Sequence, residues 1–149
     1  MKNKKKVFVI CPVRVADEAT KQKLEAYKKK LEAKGYIVHL PHLDTDQEAS
    51  GYEICLQNMR AILYADEIHI FFVPLSYGSH FDLGVTFLAC SFDENKIIKV
   101  IENGGLTDEH GQIQLPFEKS FGQMIQEWEK KYLVPSKTNC CVQLELDLH

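Results

Sequence analysis

Two patterns of hydrophobic and polar positions alternate along the chain. Short, β-branched apolar runs such as residues 6–11 are typical of strands that are covered on both faces. Longer segments repeat apolar residues at helical spacing, as Leu24, Tyr27 and Leu31 do among lysines and glutamates. The pattern predicts strands at residues 6–11, 36–40, 66–73 and 96–101. It predicts helices at residues 17–34, 50–63, 80–90 and 117–131.

Two capping signals set the ends of these helices. Gly35 is placed to end the first helix, because glycine readily adopts the left-handed conformation that follows a helix. Ser50, with Glu53 three residues later, has the spacing of a capping box and predicts the start of the second helix.

The alternating order of strands and helices predicts an α/β fold. Parallel strands need crossover connections, and these crossovers are right-handed. We therefore expect a flavodoxin-like or Rossmann-like, mostly parallel sheet of four or five strands with helices on both faces. The 149 residues are expected to form one domain, 1–149. In its tail, 132–149, apolar and polar positions alternate from 142 to 148, which predicts either an edge strand or an arm onto a neighbouring copy.

Composition narrows the class of partner. With 18 Lys and Arg against 21 Asp and Glu, the chain has no broad cationic field, so polymeric nucleic acid is not expected as a partner. No apolar run approaches the ~20 residues that cross a bilayer, and the basic start of the chain lacks the apolar core of an export signal. The five cysteines form no Cys-x-x-Cys pair. We expect a cytoplasmic protein with no membrane partner.

In open parallel sheets, ligands bind beyond the carboxyl ends of the strands, so the loops there are the expected place for a ligand site. The loop after the first strand, residues 11–14, carries Arg14, which either clamps a phosphate or carboxylate or is an ordinary solvated arginine. The chain has neither a Gly-x-Gly-x-x-Gly nor a Walker A sequence, so no dinucleotide or triphosphate cradle is indicated. No cofactor is expected.

The loop after the third strand is the most informative segment. Ser76, Gly78 and Ser79 are small or hydroxyl residues at a strand-to-helix turn, where backbone N–H groups and the helix dipole favour an anion. Asp82 is expected in the first helical turn, where the dipole favours its ionised form. It is either a nucleophile toward an anomeric carbon or, with Ser79, a capping box.

Polar residues elsewhere leave further alternatives open. Asn58 shares a helix face with Ile54 and Ile62, so its amide points toward the sheet, where it is either bonded within the core or reaches the cleft. Two histidines, His39 and His42, flank a strand end, but their spacing fits no recognised metal site, and no metal is expected.

Three segments together resemble the nucleoside 2-deoxyribosyltransferase superfamily, and within it the 2'-deoxynucleoside 5'-phosphate N-hydrolases. These segments are the first strand with Cys11-Pro12-Val13-Arg14, the strand start Ala65-Asp66-Glu67-Ile68, and the turn from Gly78 to Gly84. The turn looks like the family segment that ends in aromatic-glutamate-leucine-glycine. The resemblance covers roughly residues 6–102 and implies a nucleoside 2-deoxyribosyltransferase-like domain.

The resemblance implies a role for particular residues. Asp82 matches the glutamate that attacks C1' of the sugar, and Arg14 and Ser76 match positions around the 5'-phosphate. Substrate-binding positions are further implied at four residues: Phe8, Pro12, Gly78 and Ser79. The implied substrate is a nucleoside or nucleoside 5'-monophosphate. A homo-oligomer is implied because family sites are often completed by a neighbouring subunit, although residues 103–111, where such a residue would lie, do not align clearly.

Two family positions are changed in this chain. Phe8 replaces a tyrosine near the nucleophile, and Asn58 replaces an acidic residue that is catalytic in the family. A phenyl ring cannot donate a hydrogen bond, and an amide cannot pass a proton to a departing base. Candidates for that proton donor are three residues of the second loop: His42, Asp44 and Asp46.

Three hypotheses follow from the sequence. The first is an enzyme, a deoxyribosyltransferase or an N-glycosidase, that cleaves or transfers an N-glycosidic bond with Asp82 as nucleophile. The second is a nucleotide-binding or sensor domain that keeps the cleft without the chemistry. The third is a structural protein with no small ligand.

Overall fold

Four parallel strands form the central sheet in this computed structural model, which describes residues 4–102 and 121–133. The strands are β1 (Lys6–Ile10), β2 (Ile37–His39), β3 (Glu67–Phe71) and β4 (Ile97–Glu102), and they are arranged in the order β2-β1-β3-β4. Every neighbouring pair is parallel. The predicted α/β class is confirmed.

Five helices are present in the described part of the chain. They are α1 (Glu18–Glu32), α2 (Pro41–Asp44), α3 (Gly51–Tyr64), α4 (Tyr77–Phe92) and α5 (Phe121–Leu133). The short α2 was not predicted; it begins with a proline, which suits a first helical position because its missing N–H would be unpaired there. α4 begins at Tyr77 and not at residue 80 as predicted.

The two faces of β1 pack against different helices, because successive side chains of a strand point to opposite sides. On one face, Phe8 lies in a cluster with Ile62 of α3 and Leu83 of α4. On the other face, Val9 packs in a cluster with Leu24 of α1. Helices therefore cover both faces of the sheet, as predicted, and α5 packs along β4.

The capping signals predicted at Ser50 and Gly35 are confirmed. Ser50 accepts a hydrogen bond from the backbone N–H of Glu53, whose carboxylate in turn accepts one from the Ser50 backbone, completing the capping box of α3. After α1, Gly35 takes a φ of +88°, which costs glycine little. The Tyr36 N–H then bonds back to the carbonyl of Leu31.

The strand order has a switch point between β1 and β3. The chain leaves β1 toward β2 on one side, whereas β3 lies on the other side of β1. Loops after β1 and β3 therefore diverge from the same edge of the sheet, and such a switch point is where α/β sheets bind ligands. This arrangement brings residues 11–14 and 72–76 to neighbouring positions.

Some predictions fall on residues outside the described part of the chain. These are the strand at residues 142–148, most of the tail at 132–149, the segment 103–111, and the predicted start of the last helix at residue 117. Within residues 4–102 and 121–133, no helix combines the length and the apolar character needed to cross a membrane.

Candidate active site at the carboxyl edge of the sheet

Asp82 lies in the second turn of α4, and its side chain is buried. Because Ser76 is the N-cap and accepts from the Ser79 N–H at 3.4 Å, the helix starts at Tyr77 and Asp82 is its sixth residue. The expectation that Asp82 lies in the first turn was wrong, and so was its pairing with Ser79 in a capping box. Only 2% of Asp82 is exposed, so its carboxylate belongs to the interior and not to the helix cap.

An amide from the neighbouring helix holds this carboxylate. The Nδ2 of Asn58, on α3, donates to both Oδ1 and Oδ2 of Asp82, at 3.3 Å each. Asn58 is itself buried, and its side chain faces inward as the helical pattern predicted. Among the described residues, Asn58 is the only side chain that hydrogen-bonds the Asp82 carboxylate.

Burial governs the ionisation of Asp82. Desolvation raises the pKa of its carboxyl to about 7, while the hydrogen bond from Asn58 opposes the rise. The expected stabilisation of the ionised form by the helix dipole is therefore outweighed, since the dipole acts mainly within the first turn. The buried thiol of Cys11, at the end of β1, has its pKa raised by desolvation first and by the nearby Asp82 charge second. Asp82 thus carries a proton for part of the time near neutral pH, beside a neutral thiol.

The hydrogen bonds continue from Asn58 to two residues that the sequence did not single out for this site. Thr45 Oγ1 donates to Asn58 Oδ1 at 2.7 Å. His39 Nε2 lies 2.8 Å from Thr45 Oγ1, and the His39 ring stacks on Phe8 at 5.3 Å between centroids. Thr45 follows the short helix α2, so no periodic pattern could have indicated that its hydroxyl reaches α3.

The residues expected around a substrate are distributed between the core and the surface. Phe8 is fully buried and forms part of the core beneath the edge. Pro12 is buried in the loop after β1, whereas Arg14 in the same loop is exposed. No hydrogen bond or ion pair joins Arg14 to another described residue. Its guanidinium is therefore available at the same edge as the start of α4.

The start of α4 uses its two serines to close its own first turn. Ser79 is buried, and its hydroxyl donates to Ser76 Oγ at 2.8 Å. The N–H groups of Tyr77 and Gly78 come first in the helix, where no helical carbonyl can accept them. A Cβ at Gly78 would meet no atom within 4 Å, so packing does not require glycine there.

The proposed proton donors of the second loop bond elsewhere. Asp44 accepts from Lys28 Nζ and the Leu40 N–H, and Asp46 accepts from a backbone N–H in its own loop. His42 Nε2 lies 3.2 Å from a carboxylate oxygen of Glu25. None of the three hydrogen-bonds Asp82.

Metal ligands are not grouped at this site. In the parts of the chain that the structure describes, no set of three or more His, Cys, Asp or Glu side chains is arranged to hold a metal ion.

The fold and the site define a class: a parallel α/β domain with a buried carboxyl–amide pair beneath the carboxyl edge of its sheet. No protein-family model and no curated protein matches the chain.

Proposed function

We propose that the protein cleaves or transfers the N-glycosidic bond of a nucleoside or nucleoside 5'-monophosphate, with Asp82 as the nucleophile. The observation that carries this proposal is a buried carboxylate held by a neutral amide alone, at the edge where an α/β sheet binds ligands. No described cation pairs with the Asp82 carboxylate, so no salt bridge has to break before its ionised form attacks.

The reaction would proceed in two displacements. An Asp82 oxygen bonds to the anomeric carbon of the sugar while the base departs with the electrons of the broken C–N bond and takes up a proton from solvent water. Water, or the nitrogen of a second base, then attacks the same carbon and releases Asp82. Hydrolysis and transfer therefore share the first step and differ only in the second nucleophile.

The phosphate end of the substrate would lie between the first loop and α4. Arg14 is exposed after β1, and the N-terminus of α4 follows the adjacent β3. A guanidinium and the first N–H groups of a helix both favour an anion. These features support a 5'-monophosphate over a nucleoside as the preferred ligand.

The proposed macromolecular partner is a second copy of the chain. Four large apolar side chains lie on one stripe of α4 and remain exposed: Tyr77, Phe81, Leu88 and Phe92. Gly84 lies on the same stripe, and a Cβ there would meet no atom within 4 Å, so another helix can approach closely. An apolar, aromatic-rich patch of this kind is typical of homodimer interfaces.

A second candidate function is nucleotide binding without catalysis. Asn58 cannot transfer a proton to a departing base, and Phe8 offers no hydroxyl to the carboxylate. The low exposure of Asp82 supports the same alternative, because a nucleophile must be reached by its substrate. Such a domain would bind the nucleotide at the edge of the sheet and leave the glycosidic bond intact.

Incubation with a panel of nucleosides and 5'-monophosphates, followed by mass spectrometry, separates the two functions. For the enzyme we expect free base, and a 2-fluorinated substrate analogue should add mass to Asp82 because its glycosyl ester breaks down slowly. Asp82→Asn should reduce base release by several orders of magnitude, since an amide forms no such ester.

The matched control is Asp93→Asn, which changes an exposed carboxylate at the other end of α4 and should leave base release unchanged. Bound nucleotide without release of base would favour the binding domain. If the protein neither binds nor cleaves any compound of the panel, both functions are contradicted.

A further inference from the structure

We propose that His39 and Thr45 position the Asp82 carboxylate through a hydrogen-bond chain in which every donor points toward Asp82. The chain runs from His39 Nε2 to Thr45 Oγ1, from Thr45 to Asn58 Oδ1, and from Asn58 Nδ2 to both oxygens of Asp82. His39 and Thr45 are positioning residues, and their effect on catalysis rests on the proposed function.

The direction of the chain follows from what each group can donate. When Asp82 is ionised, its carboxylate only accepts hydrogen bonds, so the amide of Asn58 presents its N–H groups to Asp82 and its carbonyl to Thr45. The amide carbonyl of Asn58 also only accepts hydrogen bonds, so the hydroxyl of Thr45 must donate its hydrogen bond to Asn58. Thr45 Oγ1 is then left to accept, and His39 must carry a hydrogen on Nε2.

The sheet holds His39, the first residue of the hydrogen-bond chain. His39 is the last residue of β2, it pairs in register with Phe8 of β1, and its ring stacks on the Phe8 ring at an interplanar angle of 17°. A phenyl ring at position 8 thus supports the imidazole, although it cannot itself contact the carboxylate with a hydrogen bond. Phe8, at a position where the family that the sequence resembles has a tyrosine, therefore orients a residue of the same site.

Among the described residues, few charged groups lie near His39 or Asp82, the two ends of the hydrogen-bond chain. Burial lowers the pKa of His39, with Asp44 opposing this shift and Lys28 adding to it. At the other end, Cys11 is the titratable neighbour of Asp82. Protonation of His39 would add a hydrogen on Nδ1 and keep the one on Nε2, so the chain persists in both charge states.

Thr45→Val tests the chain, because valine keeps the shape of a buried threonine and removes its hydroxyl. The probe is the pKa of Asp82, measured by carbon NMR titration of its side-chain carboxyl in the ligand-free protein. Without the hydroxyl, the Asn58 amide loses the partner that orients it, and we expect the pKa of Asp82 to rise by about half a unit to one unit. Thr45→Ser keeps the hydroxyl and should restore the pKa.

A second pair of variants tests the start of the chain. His39→Gln can still present an N–H near the position of Nε2, whereas His39→Leu cannot. We expect the leucine variant to raise the pKa of Asp82 in the same direction as Thr45→Val, and the glutamine variant to change it less. This pair also provides the test if Thr45→Val does not fold.

Base release gives a separate readout. If the proposed function holds, Thr45→Val should lower kcat about tenfold with little change in KM and shift the acid limb of the pH profile upward. A pKa of Asp82 that is the same in parent, Thr45→Val and His39→Leu proteins overturns the positioning role. A shifted pKa in a protein that releases no base supports the chain and contradicts only the proposed function.

Discussion

The pKa values of two buried carboxyl groups, Asp82 and Glu67, are shifted in opposite directions, and their neighbours explain why. Asp82 has a single neutral donor, so desolvation prevails and raises its pKa to about 7. Glu67 is also desolvated, but hydrogen bonds from Lys99, His69 and Lys5 prevail and lower its pKa to about 2. Glu67 and the cations around it form a structural ion cluster. Asp82 has only the amide of Asn58, and its pKa lies near neutral pH.

The raised pKa of Asp82 predicts that its ionisation destabilises the fold. Between the unfolded pKa near 4 and the folded pKa of about 7, the folded state holds more protons, so stability falls as pH rises through this range and levels off above it. Asp82→Asn removes this titration. Relative to the parent, its free energy of unfolding should rise from pH 4 to pH 7 by on the order of 2–4 kcal/mol.

Urea unfolding at pH 4, 5.5, 7 and 8 measures this effect. Asp93→Asn, at the exposed C-cap of the same helix, serves as the control. Parallel stability curves for the parent and Asp82→Asn would contradict the burial account of Asp82.

The lowered pKa of Glu67 predicts the opposite dependence. Its ion pairs stabilise the fold fully above the unfolded pKa near 4.5, and this contribution is lost as pH falls toward 2. Glu67→Gln should cost about 1–2 kcal/mol at pH 7, a value reduced for solvent screening because Lys5 and Lys99 are half exposed. The cost should fade as the pH approaches 2.

Chemical unfolding across this range provides the measurement, with Glu48→Gln as an exposed control. An equal loss for Glu67→Gln at every pH would indicate lost packing and not lost charge.

Arg14 is predicted to recognise the phosphate. Arg14→Ala should weaken binding of a 5'-monophosphate by about 1.5–3 kcal/mol and leave the matching nucleoside nearly unaffected. Calorimetric titration of both ligands measures the difference. Arg60→Ala on α3 changes the other arginine of the chain and should affect neither ligand. Equal losses for nucleotide and nucleoside would show that Arg14 supports the fold and does not read phosphate.

Ser76 is a weaker test of phosphate recognition. Ser76→Ala should weaken 5'-monophosphate binding in the same way as Arg14→Ala. As the N-cap of α4, however, it also accepts the hydrogen bonds from Ser79, so Ser76→Ala should cost about 1 kcal/mol of stability as well.

At the scale of elements, the pair α3 and α4 forms the site. The capping box at Ser50 sets where α3 begins, and the Ser76 cap sets where α4 begins. The packing of α3 against α4 then brings Asn58 and Asp82 face to face. A start three residues later for α4, as the pattern predicted, would have placed Asp82 in the first helical turn, where the helix dipole acts on it.

The exposed stripe on α4 predicts a dimer. Leu88→Glu places a charge in its middle and should shift the protein toward monomer. Leu63→Glu, at an exposed leucine of α3 outside the stripe, should leave the mass unchanged. Light scattering over a range of concentrations gives the mass in solution, and a parent protein that is monomeric throughout would contradict the proposed interface.

At the scale of the whole molecule, the strand order places the chemistry. β1 sits between β2 and β3, so the first and third loops open from one edge although 57 residues separate them in the chain. The same order brings the end of β2, with His39, beside Phe8. One parallel sheet thus collects Arg14, the start of α4 and the hydrogen-bond chain on its carboxyl side.

The sequence by itself determined the class of fold, because hydrophobic periodicity and capping are local properties. Apolar runs located all four strands, and the signals at Gly35 and Ser50 placed two helix ends correctly. The inward direction of Asn58 followed from the same helical spacing. The start of α4 was misplaced because Ser76 and Ser79 are both plausible caps, and local sequence does not decide between them.

Only the tertiary structure decided the environment of Asp82. Its pKa depends on how completely α3 and β1 exclude water from it, and that is a long-range property. The part played by Thr45 and His39 depends on contacts between segments with no common pattern. Periodicity reports which side of an element is buried, but hydrogen bonds between elements require the distances and directions that only packing sets.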